Sequence, residues 1–124
     1  MPYKITHEKH GALTKWWGDA STLELIQMQE QLHAHPDFDR MHYSLHDLAE
    51  CVRFASKQDE VAYSAAIDGA ASISNAKLRI AIVAANPEVL AAVNAYMDFE
   101  LSPLPLRIFS FMDEARAWVL HPAD

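Results

Sequence analysis

The stretch Leu78-Arg79-Ile80-Ala81-Ile82-Val83-Ala84-Ala85-Asn86-Pro87-Glu88 contains a strand pattern followed directly by the start of a helix. Residues 78–84 form an almost continuous apolar run, which is typical of a central strand buried on both faces. Asn86 is a favoured capping residue, Pro87 suits the first helical position, and Glu88 suits the first turn. The stretch therefore predicts one strand-to-helix unit of an α/β fold.

Further strand and helix patterns lie on both sides of this stretch. On its C-terminal side, Leu106–Phe109 is predicted to be a strand, and residues 110–113 open a last helix. On its N-terminal side, residues 41–45 alternate like a strand with one buried face, and a helix is predicted from about Ser56 toward Ser74. No pattern assigns the residues between that strand and that helix.

The N-terminal part of the chain predicts a hairpin and a helix. Tyr3–His7 and Ala12–Trp17 are two β-favouring segments separated by a glycine, which is the pattern of an antiparallel pair. Ser21 precedes Glu24 by three positions, which is the signature of a capping box. The helix that begins there is expected to end before Pro36.

These elements give the order β-β-α-β-α-β-α-β-α. Strands that alternate with helices are joined by right-handed crossovers and pair in parallel. The predicted fold class is α/β, with a mixed, mostly parallel five-stranded sheet, an N-terminal antiparallel hairpin and four helices. Residues 1–124 are expected to form one domain, because a chain of this length can bury its own core.

Composition limits the partners and the compartment. The net charge of −7 and the lack of a basic run argue against a nucleic-acid partner. No segment approaches the roughly 20 apolar residues of a membrane span. The single cysteine, Cys51, cannot form an intrachain disulfide, and residues 1–4 lack the apolar core of a signal peptide. We therefore expect a cytoplasmic protein in which Cys51 is a buried, inert thiol.

The sequence carries no recognisable catalytic or metal-binding motif. His33 and His35 point in different directions on a helix, and His42 and His46 lie about 13 Å apart along a strand, so neither pair can hold one ion. No glycine-rich phosphate loop is present. We expect no metal, no cofactor and no enzymatic activity. A hydrolase built on Cys51 or a serine would need a histidine within about 3.5 Å of the nucleophile.

Two surfaces are candidate binding sites. The first is the sheet edge at the carboxyl ends of the strands, where open α/β sheets bind ligands; its residues are Asp19, Asp47, Asn86 and Ser110. The second is a sheet face opposite the helices; its residues are Trp16, His42, Ser44, His46, Arg79 and Arg107. The alternatives are that the edge residues only cap or precede helices, and that the second face is solvated or covered by a helix.

The closing pattern Leu106-Arg107-Ile108-Phe109 followed by Asp113-Glu114-Ala115-Arg116-Ala117-Trp118-Val119 resembles the STAS/SEC14-like group of small bacterial proteins. The segments Leu45-His46-Asp47 and Lys77–Val83 also match that group. The resemblance implies the fold of the anti-sigma-factor antagonists, a mixed sheet backed by helices. Those antagonists carry an aspartate-serine-serine-glycine motif whose serine is phosphorylated. Here residues 54–59 keep only Ser56, which either caps the second helix, with Asp59 completing the pair, or acts as a phosphorylation switch.

The resemblance leads to two functional hypotheses. The first is a non-catalytic regulatory or protein-binding module that contacts a protein partner or a second copy of itself. The alternative is a carrier or sensor of a small hydrophobic or anionic, lipid-like ligand. A cavity would favour the carrier, whereas a flat complementary surface would favour association.

Overall fold

The computed structural model describes residues 2–121, which form a mixed sheet with helices on both faces. The strands are β1 (Tyr3–Glu8), β2 (Gly11–Ser21), β3 (Tyr43–Ala55), β4 (Arg79–Val83) and β5 (Leu106–Phe109). The helices are α1 (Thr22–His33), α2 (Gln58–Ser74), α3 (Pro87–Asp98) and α4 (Met112–Leu120), and a single 3-10 turn covers Phe38–Arg40. The strand order is β1-β2-β3-β4-β5, with β1 antiparallel to β2 and the other pairs parallel. The predicted fold class and element order are confirmed.

Strands β2 and β3 are much longer than their sequence patterns indicate. They stay paired as far as Ser21 and Ala55, whereas β4 ends opposite Asp47. The two strands therefore continue as a ribbon beyond the rest of the sheet. The pairing register shifts between Lys15 and Trp17, so the period-2 pattern is interrupted there. This explains why the residues after Asp47 could not be assigned from sequence.

Three helices cover one face of the sheet and one helix covers the other. On the first face, α1 and α3 contact the strands and α2 packs mainly against α1 and α3. The core there includes Trp16, Met28, Leu32, Ile80 and Val89. On the second face α4 covers a smaller cluster, whose buried members are Tyr43, Leu45, Ala81, Val83, Ala115, Trp118 and Val119. The sheet therefore has no uncovered central face.

Capping side chains set the N-terminal starts of α1 and α3, as predicted. The Ser21 side chain accepts a hydrogen bond from the backbone N–H of Glu24, and Asn86 caps α3 by accepting from the N–H of Glu88 at 2.8 Å. Gly69 allows α2 to lie close to the backbone of the segment that follows α3. A Cβ on Gly69 would collide with the backbone carbonyl of Leu101, in the segment after α3.

The two ends of the chain are joined by one charged cluster. Arg116 of α4 donates two hydrogen bonds to the Glu8 carboxylate, at 3.1 and 2.9 Å, and the Tyr43 hydroxyl donates to the same carboxylate. The hydrogen bonds from Arg116 are the largest cause of the lowered pKa of Glu8. This cluster holds α4 in place on its face of the sheet.

Candidate functional site

The four predicted edge residues lie near the carboxyl ends of β4 and β5 and along the β2–β3 ribbon, but only two of them follow a strand end. Asn86 and Ser110 follow β4 and β5, and Asp47 lies level with Val83 but in the middle of β3. Asp19 lies inside β2 and pairs with Arg53 of the ribbon, and the adjacent Val52 carbonyl accepts a hydrogen bond from the Asn86 side chain, so Asp19 and Asn86 lie against the same part of the ribbon. Asp19 and Asp47 do not lie at strand ends as predicted, because β2 and β3 extend past the strands beside them. Asn86 acts as a cap, as its alternative explanation proposed.

The prediction that the residues of the second surface share an open sheet face is also wrong. Trp16 and His46 lie beneath α1–α3 and are 1% and 6% exposed. Arg79 and Arg107 lie on the opposite face, where their guanidinium carbons are 5.0 and 5.4 Å from the centre of the Trp118 ring. His42 is exposed just before β3 and stacks on a second surface histidine. Residues 43–46 are buried on both sides, so alternation could not assign the faces.

Ser56 does not cap the second helix. The capping position of α2 is Lys57, and no side chain makes a capping hydrogen bond there. The Asp59 carboxylate accepts from the N–H of Glu60 instead of completing a reciprocal pair with Ser56. Ser56 is exposed in the short connection before the helix.

A cavity of about 70 Å³ lies between the sheet and helices α1, α2 and α3. Most of the side chains that line it are apolar, among them Trp16, Leu25, Met28, Leu32, Leu48, Phe54, Val61, Leu78, Ile80, Ile82, Val89, Ala92, Val93 and Leu106. This volume is about half of the roughly 150 Å³ of an apolar protein cavity that binds benzene, so it suits only a compact ligand. This cavity is the candidate functional site.

Three connected polar side chains form part of the sheet side of the cavity. The Trp16 indole N–H donates to Nδ1 of His46 at 3.4 Å, and Nε2 of His46 lies 3.1 Å from the Ser44 hydroxyl. An indole can only donate, so Nδ1 is the acceptor and the neutral ring carries its proton on Nε2. Burial lowers the pKa of His46 to about 4, although the nearby Asp68 carboxylate acts in the opposite direction. The ring is therefore neutral at pH 7 and donates to Ser44.

The Ser44–His46 pair meets the distance expected of a nucleophile and its base but has the opposite proton arrangement. A serine nucleophile needs an unprotonated Nε2 that can accept its hydrogen, with an acid holding the proton on Nδ1. Here Nδ1 faces the Trp16 N–H, so Nε2 is the donor. Cys51 is buried, burial raises the pKa of its thiol, and its sulfur donates to the Arg53 carbonyl.

A second polar cluster closes the helix side of the cavity. The Asp68 carboxylate of α2 accepts a hydrogen bond from the Tyr96 hydroxyl of α3, and lies 3.4 Å from Nε2 of His33 at the end of α1. Burial, together with the neighbouring carboxylate, raises the pKa of Tyr96, so its hydroxyl stays a donor. One buried carboxylate therefore links the three helices over the cavity.

Sequence reasoning missed Asp68 and Tyr96. Asp68 lies on the same face of α2 as the fully buried Ala65, three positions earlier. A carboxylate at a buried position normally has a hydrogen-bond partner, so its position indicates one. Tyr96 lines the cavity together with Val93, three positions earlier on α3, so its spacing indicates only a core residue. Among residues 2–121, no group of three or more histidine, cysteine or acidic side chains is arranged to hold a metal ion. No helix in the same range is both long and apolar enough to cross a membrane.

Comparison with known proteins identifies the fold. No protein-family model and no curated protein matches this chain. The fold is similar to that of an uncharacterized DUF3478-family protein from Shewanella loihica PV-4, whose crystal structure is described as having a SpoIIAA-like fold. The TM-score is 0.53 at 16% sequence identity, and the similarity covers 94% of this chain and 91% of that one. The chain has the SpoIIAA-like fold of the anti-sigma-factor antagonists, so the predicted resemblance is confirmed for the fold.

Proposed function

We propose that this protein is a non-catalytic carrier or sensor that binds one small, mainly hydrophobic molecule in the cavity between the sheet and helices α1–α3. The observation that supports this function is the cavity itself, which lies within the main core and has a mostly apolar lining. Small-molecule sites are typically apolar cavities with a few precisely placed polar groups, and here Ser44, His46 and Asp68 are among the polar groups of the lining. A single buried cysteine, Cys51, is compatible with action in a reducing cytoplasm.

The volume and the charges of the cavity narrow the ligand class. A cavity of about 70 Å³ fits a compact molecule rather than a long acyl chain. The lining contains no lysine or arginine, and its carboxylate, Asp68, is paired with His33. An anion would therefore lose its hydration without gaining a cationic partner. Between the two ligand types considered from sequence, the cavity favours the hydrophobic one.

The non-catalytic part of the proposal is supported by the proton arrangement around His46. Its Nε2 donates to Ser44, and its lowered pKa leaves it a weak base at pH 7. Asp68, the nearby carboxylate, is engaged by Tyr96 and His33 rather than by the His46 ring.

Protein binding is the second candidate function, and exposed apolar side chains favour it. Trp17 and Val52 of the β2–β3 ribbon are 42% and 58% exposed, and Phe111 before α4 is 65% exposed. Exposed apolar groups of this size can mark an interface. Native mass spectrometry separates the candidates, because it reports both the number of subunits and any retained small molecule.

Filling the cavity is expected to abolish ligand binding without unfolding the protein. Ala92 of α3 lines the cavity, so the Ala92→Leu side chain would occupy the space that a ligand needs. Toluene is the probe, because it is a compact apolar molecule that the cavity would admit after small shifts of the lining side chains, and we expect a dissociation constant on the order of 0.1–1 mM. Binding is measured as the rise in thermal midpoint with toluene concentration. The wild type should show a rise and Ala92→Leu should show none.

The matched control is Ala91→Leu, one position earlier on the same helix. Ala91 is exposed and does not line the cavity, so this variant adds the same atoms outside the site. It should keep the wild-type response to toluene. An unchanged response of Ala92→Leu, or no response of the wild type, would contradict the proposed function.

A further inference from the structure

The hydrogen-bond direction in the cavity leaves one hydroxyl hydrogen without an acceptor. His46 donates from Nε2 to Ser44, so the Ser44 oxygen is the acceptor in that bond. The Ser44 hydrogen must therefore point elsewhere. Ser44 is 3% exposed, and no other group of residues 2–121 hydrogen-bonds to its side chain.

A buried donor that stays unpaired is costly. Desolvating a polar group without a partner costs about 1–3 kcal/mol, so buried hydroxyls normally find an acceptor. Ser44 extends from β3 beneath the helices and lines the cavity, so an acceptor inside the cavity could take its hydrogen. Thr14, beside His46 on β2, is a second fully buried hydroxyl without a partner in the described chain. This part of the sheet thus offers more donors than the protein can satisfy.

The charge of the lining excludes the strongest acceptors. A carboxylate ligand would accept from Ser44, but it would lie in the same small cavity as the Asp68 carboxylate with no lysine or arginine to balance it. Two carboxylates in one apolar space repel each other and raise each other's pKa. A carbonyl, ether or hydroxyl oxygen accepts the same hydrogen without that penalty.

If the proposed function holds, we infer that the ligand is a compact neutral molecule with an apolar skeleton and one oxygen that accepts a hydrogen bond from Ser44. The Trp16–His46–Ser44 series then acts as the recognition element. Trp16 fixes the acceptor nitrogen of His46, His46 donates to one lone pair of the Ser44 oxygen, and Ser44 presents its hydrogen to the cavity. The apolar lining holds the skeleton, whereas Ser44 distinguishes oxygenated molecules from hydrocarbons.

The test compares two molecules that differ in one group. Cyclohexanone carries a carbonyl oxygen where methylenecyclohexane carries a CH₂ group, so size and shape are matched. Dissociation constants are measured from shifts of backbone amide NMR signals of the full chain at pH 7. We expect cyclohexanone to bind about three- to tenfold more tightly, which corresponds to one net hydrogen bond. Ser44→Ala should bring the two constants within about twofold, and Ser44→Thr, which keeps the hydroxyl, should retain the preference.

The outcomes separate this inference from the proposed function. Equal binding of the ketone and the hydrocarbon by the wild type would overturn the inference while leaving the cavity as a binding site. No shift in α1–α3 with either molecule would overturn the proposed function. Tighter binding of pentanoate than of cyclohexanone would overturn the assignment of a neutral ligand. The wild-type comparison remains decisive if Ser44→Ala does not fold.

Discussion

Replacing Trp16 by alanine is expected to lower the free energy of unfolding by about 3–5 kcal/mol, the usual cost of removing a buried large aromatic side chain. The Trp16 side chain is 1% exposed and contacts the rings of Tyr3 and Phe54, with ring centres 4.9 and 6.0 Å away. Its removal enlarges the cavity and leaves Nδ1 of His46 without a donor. Urea unfolding followed by circular dichroism measures the change.

The neighbouring tryptophan is the matched control. Trp17 is 42% exposed on the β2–β3 ribbon, so Trp17→Ala should cost less than about 1 kcal/mol. A similar loss of stability for both variants would show that Trp16 does not lie within the main core. The adjacent positions carry the same residue type, so the contrast reports location alone.

Stability is expected to fall by about 3 kcal/mol between pH 6.5 and pH 4 because of His46. Burial lowers the pKa of His46 from its ordinary value of 6.5 to about 4 in the folded protein. In this interval the unfolded chain binds a proton that the folded chain does not bind. The contribution of the neutral His46 to the free energy of unfolding is therefore fully present above pH 6.5 and is lost as the pH falls toward 4. Urea unfolding at a series of pH values measures this slope.

His46→Gln isolates this contribution, since glutamine does not titrate. The pKa of Glu8 is also lowered in the folded protein, so protonation of Glu8 destabilises the fold when the pH falls below the ordinary pKa of a glutamate. This effect is the same in the wild type and in the variant. The difference in unfolding free energy between wild type and variant should shrink by about 3 kcal/mol from pH 6.5 to pH 4. A difference that does not depend on pH would mean that His46 is solvated in the folded protein.

Sequence patterns predicted the architecture well because most elements carry strong local signals. The apolar run at 78–84, the Asn86-Pro87 helix start and the Ser21 cap each correspond to an element in the structure. The long β3 strand was not predicted, because its second half lies in a ribbon whose register shifts and whose side chains are partly solvated.

The candidate site was less predictable than the fold. His46 and Trp16 were identified as candidate residues, but on an uncovered face, because periodicity shows that two faces differ without showing which helices cover them. Arg79 and Arg107 were assigned to the same face as His46, although the pairing of Arg79 with Tyr43 places them on the α4 side. A cavity depends on how side chains from four or more elements pack together, and no local pattern encodes that.

A small apolar molecule that enters the core between the sheet and helices α1–α3 should shift the methyl NMR signals of the side chains that line the cavity, and a titration with toluene measures these shifts. The methyl groups of Leu25, Val61 and Val93 line the cavity, whereas those of Leu13 and Val119 lie in the cluster beneath α4. We predict saturable shifts of the first group and none of the second as toluene is added. Shifts confined to the α4 side, or to exposed side chains, would contradict binding in this cavity, and so would unchanged spectra up to the solubility limit of toluene.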